Sequence, residues 1–176
     1  MSYNPDDWPS AWKGHEQFAW FLVQLMDPDL VVELGVDFGF SLIEWARYNK
    51  GRTVGIDWFQ GDPQAGFRNT EQIARRNLVL SNVQGAKILK LKFEDALFQF
   101  ADLSIDILHI DGAHDFESVK RDFEMWYPKV RRGGVIVMHD TQSFRDDVGR
   151  FFNGLKDTKC EFQHAAGLGV VLKSWR

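Results

Sequence analysis

Four side chains able to handle protons or metal ions fall in two short segments. Asp111 and His114 lie in Ile110-Asp111-Gly112-Ala113-His114, and His139 and Asp140 lie in Met138-His139-Asp140-Thr141. Each segment follows an apolar run, 105–110 and 135–138, of buried-strand length. Adjacent parallel strands run ~5 Å apart, so Asp111, His139 and Asp140 are placed to converge. Two carboxylates beside a cleft suit a hard divalent ion such as Mg²⁺. An imidazole in the set moves the preference towards Mn²⁺, Fe²⁺ or Zn²⁺. His114 sits one turn past Asp111. With an ordinary pKa near ~6.5 an imidazole takes a hydroxyl proton at neutral pH. The other role open to His114 is to help cap the helix that begins near Asp115.

A second constellation lies earlier in the chain. The stretch 33–41 joins a strand to a helix and carries Glu33, Gly35, Gly39 and Ser41. Glycines there let the backbone turn tightly and approach a ligand. The spacing Gly-x-x-x-Gly is neither the Gly-x-Gly-x-x-Gly of dinucleotide binders nor a phosphate-cradling loop. Asp57 ends the next strand, where a carboxylate can accept hydrogen bonds from both hydroxyls of a ribose. Its other reading is an ordinary strand-end acid.

The elements that must position these groups alternate. Residues 1–10 read as an extended lead-in and 11–26 as a helix ended by Asp27-Pro28. Strands are expected at 30–34, 52–57, 86–91, 105–110 and 135–138. Helices are expected from Ser41, as a capping box with Glu44, and at 70–80, 94–101, 115–127 and 144–157. Residues 159–164 and 168–172 read as a closing hairpin. Strand–helix alternation implies right-handed βαβ units, hence a Rossmann-like, doubly wound α/β fold with a mostly parallel sheet and helices on both faces. Ligands in such sheets bind outside the carboxyl ends of the strands, after Glu33, Asp57, Leu91, Asp111 and Asp140.

Composition excludes several classes. The 176 residues carry 21 Lys and Arg against 25 Asp and Glu, a formal net charge of -4, which argues against a nucleic-acid binder relying on a basic field. One cysteine makes neither an internal disulfide nor a cysteine zinc site. The longest apolar run, 18–23, is far short of the ~18–20 residues of a membrane span. The acidic start of the chain has no apolar signal core. The expectation is one cytoplasmic domain over 1–176 acting on a small molecule, with a homo-oligomer left open.

The chain resembles class I S-adenosylmethionine-dependent methyltransferases. The likeness is carried by Glu33-Leu34-Gly35 with Gly39 and Ser41, by Gly55-Ile56-Asp57, by Leu108 to His114, and by Gly133 to Thr141. It is closest to small methyltransferases associated with sugar and polysaccharide assembly, which carry a similar loop at 58–66 and a similar ending at 167–171. The resemblance implies a seven-stranded sheet of order 3-2-1-4-5-7-6 with strand seven antiparallel. It implies S-adenosylmethionine as cofactor, with Glu33 and Gly35 by its methionine moiety, Asp57 on the ribose, and Glu94 or its neighbours flanking the adenine. Trp58 either packs on the adenine or covers the sheet edge. Related metal-dependent O-methyltransferases place an acidic pair where this chain has His139-Asp140, so Asp111, His139 and Asp140 are the expected metal ligands, for Mg²⁺ or Mn²⁺. His114 is the expected general base and Asp111 its catalytic partner.

Other histidines and tryptophans receive plainer expectations. His109 reads as a packed or edge residue, and His15 as lying near the cofactor mouth, in solvent or at an interface. Trp8, Trp12, Trp20 and Trp58 are candidates to line the acceptor pocket, with Trp20 read as core. Arg131-Arg132 reads as the complement of a helix C-terminus. Three rivals stand beside the methyltransferase. One is a non-catalytic cofactor-binding module, and another is an NAD-linked oxidoreductase, disfavoured by the glycine spacing. The third is an iron oxygenase built on His109-x-Asp111 with His139 or His164, whose usual β scaffold the helix–strand alternation contradicts.

Overall fold

The computed structural model describes residues 4, 7–64 and 66–174. Parts of the 1–10 lead-in, and Ala65 of the 58–66 loop, lie outside them. Seven strands form one sheet in the order β3-β2-β1-β4-β5-β7-β6. They are β1 (Leu30–Leu34), β2 (Arg52–Asp57), β3 (Ala86–Lys90), β4 (Ile105–Ile110), β5 (Val130–His139), β6 (Thr158–Phe162) and β7 (Leu168–Leu172). The first five pair in parallel, and β7 runs antiparallel to both β5 and β6. This is the topology expected above.

Side-chain parity divides the sheet into two faces. Val31 of β1, Ile107 of β4 and Val135 and Val137 of β5 pack with α1 (Glu16–Met26) and α2 (Phe40–Tyr48), burying Trp12 and Trp45. Val32, Leu34, Leu108, Ile110, Ile136 and Met138 form the opposite core with α4 (Phe93–Ala96), α5 (Phe116–Trp126) and α6 (Arg150–Gly154). Between the pairs Ile105–Val130 and Ile107–Val135 the register shifts, the extra residues lying in β5. By ordinary alternation from Val31, Ile107 and Val137, the strand-end residues Glu33, His109 and His139 share the α1–α2 face. Between β2 and β3, α3 (Glu71–Ser81) closes a smaller cluster around Phe59 and Ile88.

Several local expectations are corrected. Helix α1 starts at Glu16, because 11–14 form a turn that buries Trp12. Ser41 is no cap: Gly39 is the N-cap of α2 and makes no side-chain cap, while the Ser41 hydroxyl donates to Glu33. Trp20 is 46% exposed rather than core. Arg131 and Arg132 lie inside β5, and Arg131 pairs with Asp106 instead of a helix end. The 144–157 segment is a π-helical turn (Arg145–Gly149) leading into the short α6. Asp115 does cap α5, accepting from the backbone N–H of Ser118 at 3.0 Å. No helix among the described residues is long and apolar enough to cross a membrane.

Candidate active site

A cavity of about 550 Å³ opens at the carboxyl ends of the strands, inside the size range of small-molecule sites. Its walls include Gly35, Ser41, Asp57, Trp58, Glu94, Asp111, His114, His139 and Asp140. All nine are cofactor, catalytic or metal candidates of the sequence reading, drawn from both sides of the cleft. Gly35 belongs to the wall for a backbone reason. Its φ is +92°, and a Cβ there would fall 1.9 Å from the carbonyl oxygen of Asp111, so only glycine lets the β1 and β4 ends meet.

Asp57 organises the cofactor end. Its Oδ2 accepts from the backbone N–H of Val36 (2.8 Å) and Asp37 (3.0 Å), and its Oδ1 from that of Phe59 (2.7 Å). It is therefore a buttress of the glycine turn, and any ribose contact adds to these bonds. Trp58 is half exposed, with the Lys92 ammonium 4.9 Å from its ring centroid. Glu33 and Gly39 are placed beneath and behind the wall. Glu33 is fully buried, its carboxylate held by Ser41 and by His109 Nδ1 at 2.9 Å. Burial raises its pKa, and the bonds from His109 and Ser41 oppose that.

At the acceptor end the two motif segments meet. His139 Nδ1 lies 3.2 Å from Asp111 Oδ1 and 3.0 Å from Asp140 Oδ2. His114 Nε2 lies 3.0 Å from Asp140 Oδ2 and 3.9 Å from Asp111 Oδ1, and its ring stacks on Phe144 at 4.4 Å. Burial disfavours the charged form of His139, yet the two carboxylates outweigh it and push its pKa up to about 10. His114 also moves up: burial opposes its charge, and the bond to Asp140 with the charges of Asp111, Asp140 and Asp62 overcomes it. Asp140 itself is held well below the usual carboxylate range; burial works against this, and the two imidazoles win. The backbone is strained where the groups are aimed. Asp37, Phe59 and Asp140 have φ of 44°, 58° and 64° and all line the cavity.

The remaining histidines are all nearby. His15 is fully buried, both ring nitrogens lack a partner, and its ring lies 4.7 Å from His164 and 5.5 Å from His139. Burial and the neighbouring imidazoles depress its pKa to about 4. It is thus neither in solvent nor on the cavity wall. The His109-x-Asp111 pair does not converge as an iron site, since both nitrogens of His109 are engaged by Trp12 and Glu33. Sequence reasoning passed over Asp37, Asp62, Arg68 and Arg121, which also line the cavity. Asp62 lies in the 58–66 loop that carries part of the family likeness, the one signal available for it.

Beside Arg121 sits a buried acid, Asp122. Arg121 reaches its Oδ1 at 3.3 Å, and Oδ2 has no partner. Burial raises the carboxyl to about 6 against the pull of Arg121. A raised folded-state pKa stabilises the fold fully below the unfolded value, and that stabilisation is lost as pH rises through about 6. Above that pH the charge costs on the order of 2–3 kcal/mol. Asp122→Asn is therefore expected to raise the midpoint of thermal unfolding by roughly 4–10 °C at pH 7.5, with no gain at pH 4. Equal midpoints for the two proteins at both pH values would refute this reading.

Residues 32–141 match the family described as a methyltransferase domain. An uncharacterised protein of Sinorhizobium fredii is 36% identical over 76% of this chain and 15% of its own length. An uncharacterised protein of Acanthamoeba polyphaga mimivirus is 36% identical over 65% of this chain and 52% of its own. The chain thus spans at most about half of these curated relatives. Among solved structures, an O-methyltransferase from Bacillus cereus in complex with SAH superposes with a TM-score of 0.70. It is 20% identical, over 92% of this chain and 81% of that one.

Proposed function

Since the chain belongs to the methyltransferase domain family of class I, S-adenosylmethionine-dependent enzymes, we propose that it methylates a hydroxyl oxygen of a small acceptor in this cavity. The observation that carries the proposal is the meeting of Asp111, His114, His139 and Asp140 on one wall, with the Gly35 turn, Asp57 and Trp58 on the other. A polyhydroxylated, sugar-like acceptor is the class we favour. The likeness of the 58–66 and 167–171 segments to sugar methyltransferases and the carboxylates of Asp37 and Asp62 on the wall support it.

The residues fit the cofactor. An acid at the β2 end, an adjacent indole and a close-approach glycine turn suit a ribose, an adenine and an amino-acid moiety, held by Asp57, Trp58 with Glu94, and the turn at 35–37 above Glu33. S-adenosylmethionine supplies, when bound, a methyl carbon on an already activated sulfonium. The chain then has to align the acceptor oxygen, exclude water and remove a proton. His114 Nε2 donates its ring hydrogen to the acceptor-only carboxylate of Asp140, so Nδ1, buried and without a partner, holds the lone pair that takes the hydroxyl proton. Asp140, 3.0 Å from Nε2, stabilises the imidazolium that forms. Asp111, 3.9 Å from Nε2, adds its charge to that stabilisation.

The donor set also fits a divalent ion. One atom each of Asp111, His139 and Asp140 lie within 4.8 Å of one another. The 3.0 and 3.2 Å separations from His139 Nδ1 match neighbouring vertices of an octahedron with ~2.1 Å bonds, about 3 Å apart. Those three residues would hold the ion, which would lower the pKa of a coordinated hydroxyl.

Calorimetry tests both assignments. S-adenosylhomocysteine (SAH) is expected to bind with measurable heat, and no heat and no thermal shift would overturn the function. Mn²⁺ titrated at pH 7.5 in two buffers of different ionisation enthalpy is expected to release about one proton per ion, because His139 must deprotonate to ligate. Binding without proton release would exclude His139 from the ligand set.

A further inference from the structure

Two residues on the cavity wall are joined beneath its floor by two that do not reach it. Trp12, in the turn before α1, and Ser41, in the first turn of α2, both line the cavity. Between them lie Glu33 and His109, both with no exposed surface and direct register partners across β1 and β4. The Trp12 indole N–H, a donor only, gives its hydrogen to His109 Nε2 at 3.1 Å. The ring hydrogen of His109 is therefore on Nδ1, which donates to Glu33 Oε1 at 2.9 Å. The same Oε1 accepts from the Ser41 hydroxyl. The Trp45 indole N–H also points at Nδ1, at 3.3 Å; the shorter Trp12 and Glu33 contacts keep the ring hydrogen on Nδ1, and Trp45 closes the corner by packing.

We infer that His109 is a positioning residue that fastens the N-terminal wall of the site, residues 9–12, to the acid under the cofactor end. Among the described residues 9–12 the other polar bonds are local, and Gly14 beyond them is tied to His164 Nε2 through its carbonyl at 3.2 Å. The Trp12 N–H bonds locally to Ser10 Oγ at 3.2 Å, and His15 N to Trp12 O at 3.1 Å; the link from its indole to His109 spans 97 positions of sequence. A buried polar chain of this kind specifies one arrangement, because each member left unpaired costs desolvation without return. His109 thus holds the acceptor wall through Nε2 and the Glu33–Ser41 pair through Nδ1, by two separable bonds. The cofactor arm of this inference rests on the methyl-transfer reading above; the wall arm does not.

The test uses the isosteric logic of amides. His109→Asn keeps a donor at the Nδ1 position for Glu33 and loses the acceptor for Trp12. His109→Gln keeps an acceptor at the Nε2 position for Trp12 and loses the donor for Glu33. Trp12→Phe removes only the indole N–H. Amide hydrogen exchange of residues 10–15 and SAH affinity by calorimetry are read in the full chain. Trp12→Phe and His109→Asn are expected to speed exchange in 10–15 roughly tenfold with SAH affinity held within about threefold. His109→Gln is expected to show slow exchange there and roughly tenfold weaker SAH. A simple packing role predicts that the two amide variants behave alike, and that result overturns the proposal. So does unchanged exchange in Trp12→Phe, which decides the matter alone if neither His109 variant folds. If the unaltered protein fails to bind SAH, the functional reading fails while the exchange data still decide the wall.

Discussion

Asp140→Asn is expected to lower methyl transfer by roughly 10³-fold while SAH affinity stays within about threefold. Asparagine is the right replacement, because φ at this position is 64° and asparagine tolerates the left-handed region. The change removes the charge that stabilises His114 as an imidazolium and one of the candidate ion ligands. It also has a signature in pH. A base works deprotonated, so the rate climbs as pH rises through the His114 pKa, which lies above 6.5. Without the Asp140 carboxylate that pKa falls, and the acid limb of the residual activity moves to lower pH. His114→Ala is expected to reach the same floor, and the double variant to fall no further, since groups acting as a unit are not additive. Full turnover in either single variant would remove this wall from the mechanism.

Asp57→Ala carries the second large effect. Truncation strands the N–H groups of Val36, Asp37 and Phe59, each costing about 1–3 kcal/mol if left unpaired. Phe59 is buried in the cluster with Ala74 and Ile88, so water does not readily replace the carboxylate there. SAH affinity is expected to fall by roughly 100-fold, and the midpoint of thermal unfolding by several degrees. The two readouts separate the roles. Lost stability with intact affinity would make Asp57 scaffold alone, and unchanged affinity would end its assignment to the cofactor site.

The strands that carry the site were readable because each is a short apolar run ending at a polar residue. Leu30–Leu34, Arg52–Asp57 and Ile105–Ile110 fall where the pattern put them. The start of β5 was not: Val130 to Gly134 holds two arginines and two glycines and reads as a turn, yet Val130 pairs with Ile105. The capping box at Ser41 has the right residues, and its hydroxyl is claimed instead by Glu33, a tertiary partner no local rule foresees. Motif residues at strand ends converge because topology brings neighbouring ends together. The Trp12–His109–Glu33 relay was hidden by contrast. It depends on partners 97 and 76 positions apart. Trp12 lines the cavity as expected while being buried, and Trp20 is exposed rather than core, because helix α1 begins late.

All five histidines of the chain gather around one corner of the cavity. Imidazole resonances in a magnetic resonance spectrum of the untagged protein therefore come from this neighbourhood and nowhere else. Selective labelling of one amino-acid type turns the whole spectrum into a local probe, with no assignment needed to know where a perturbation arises. Ligand screens by chemical-shift change gain a built-in filter for location.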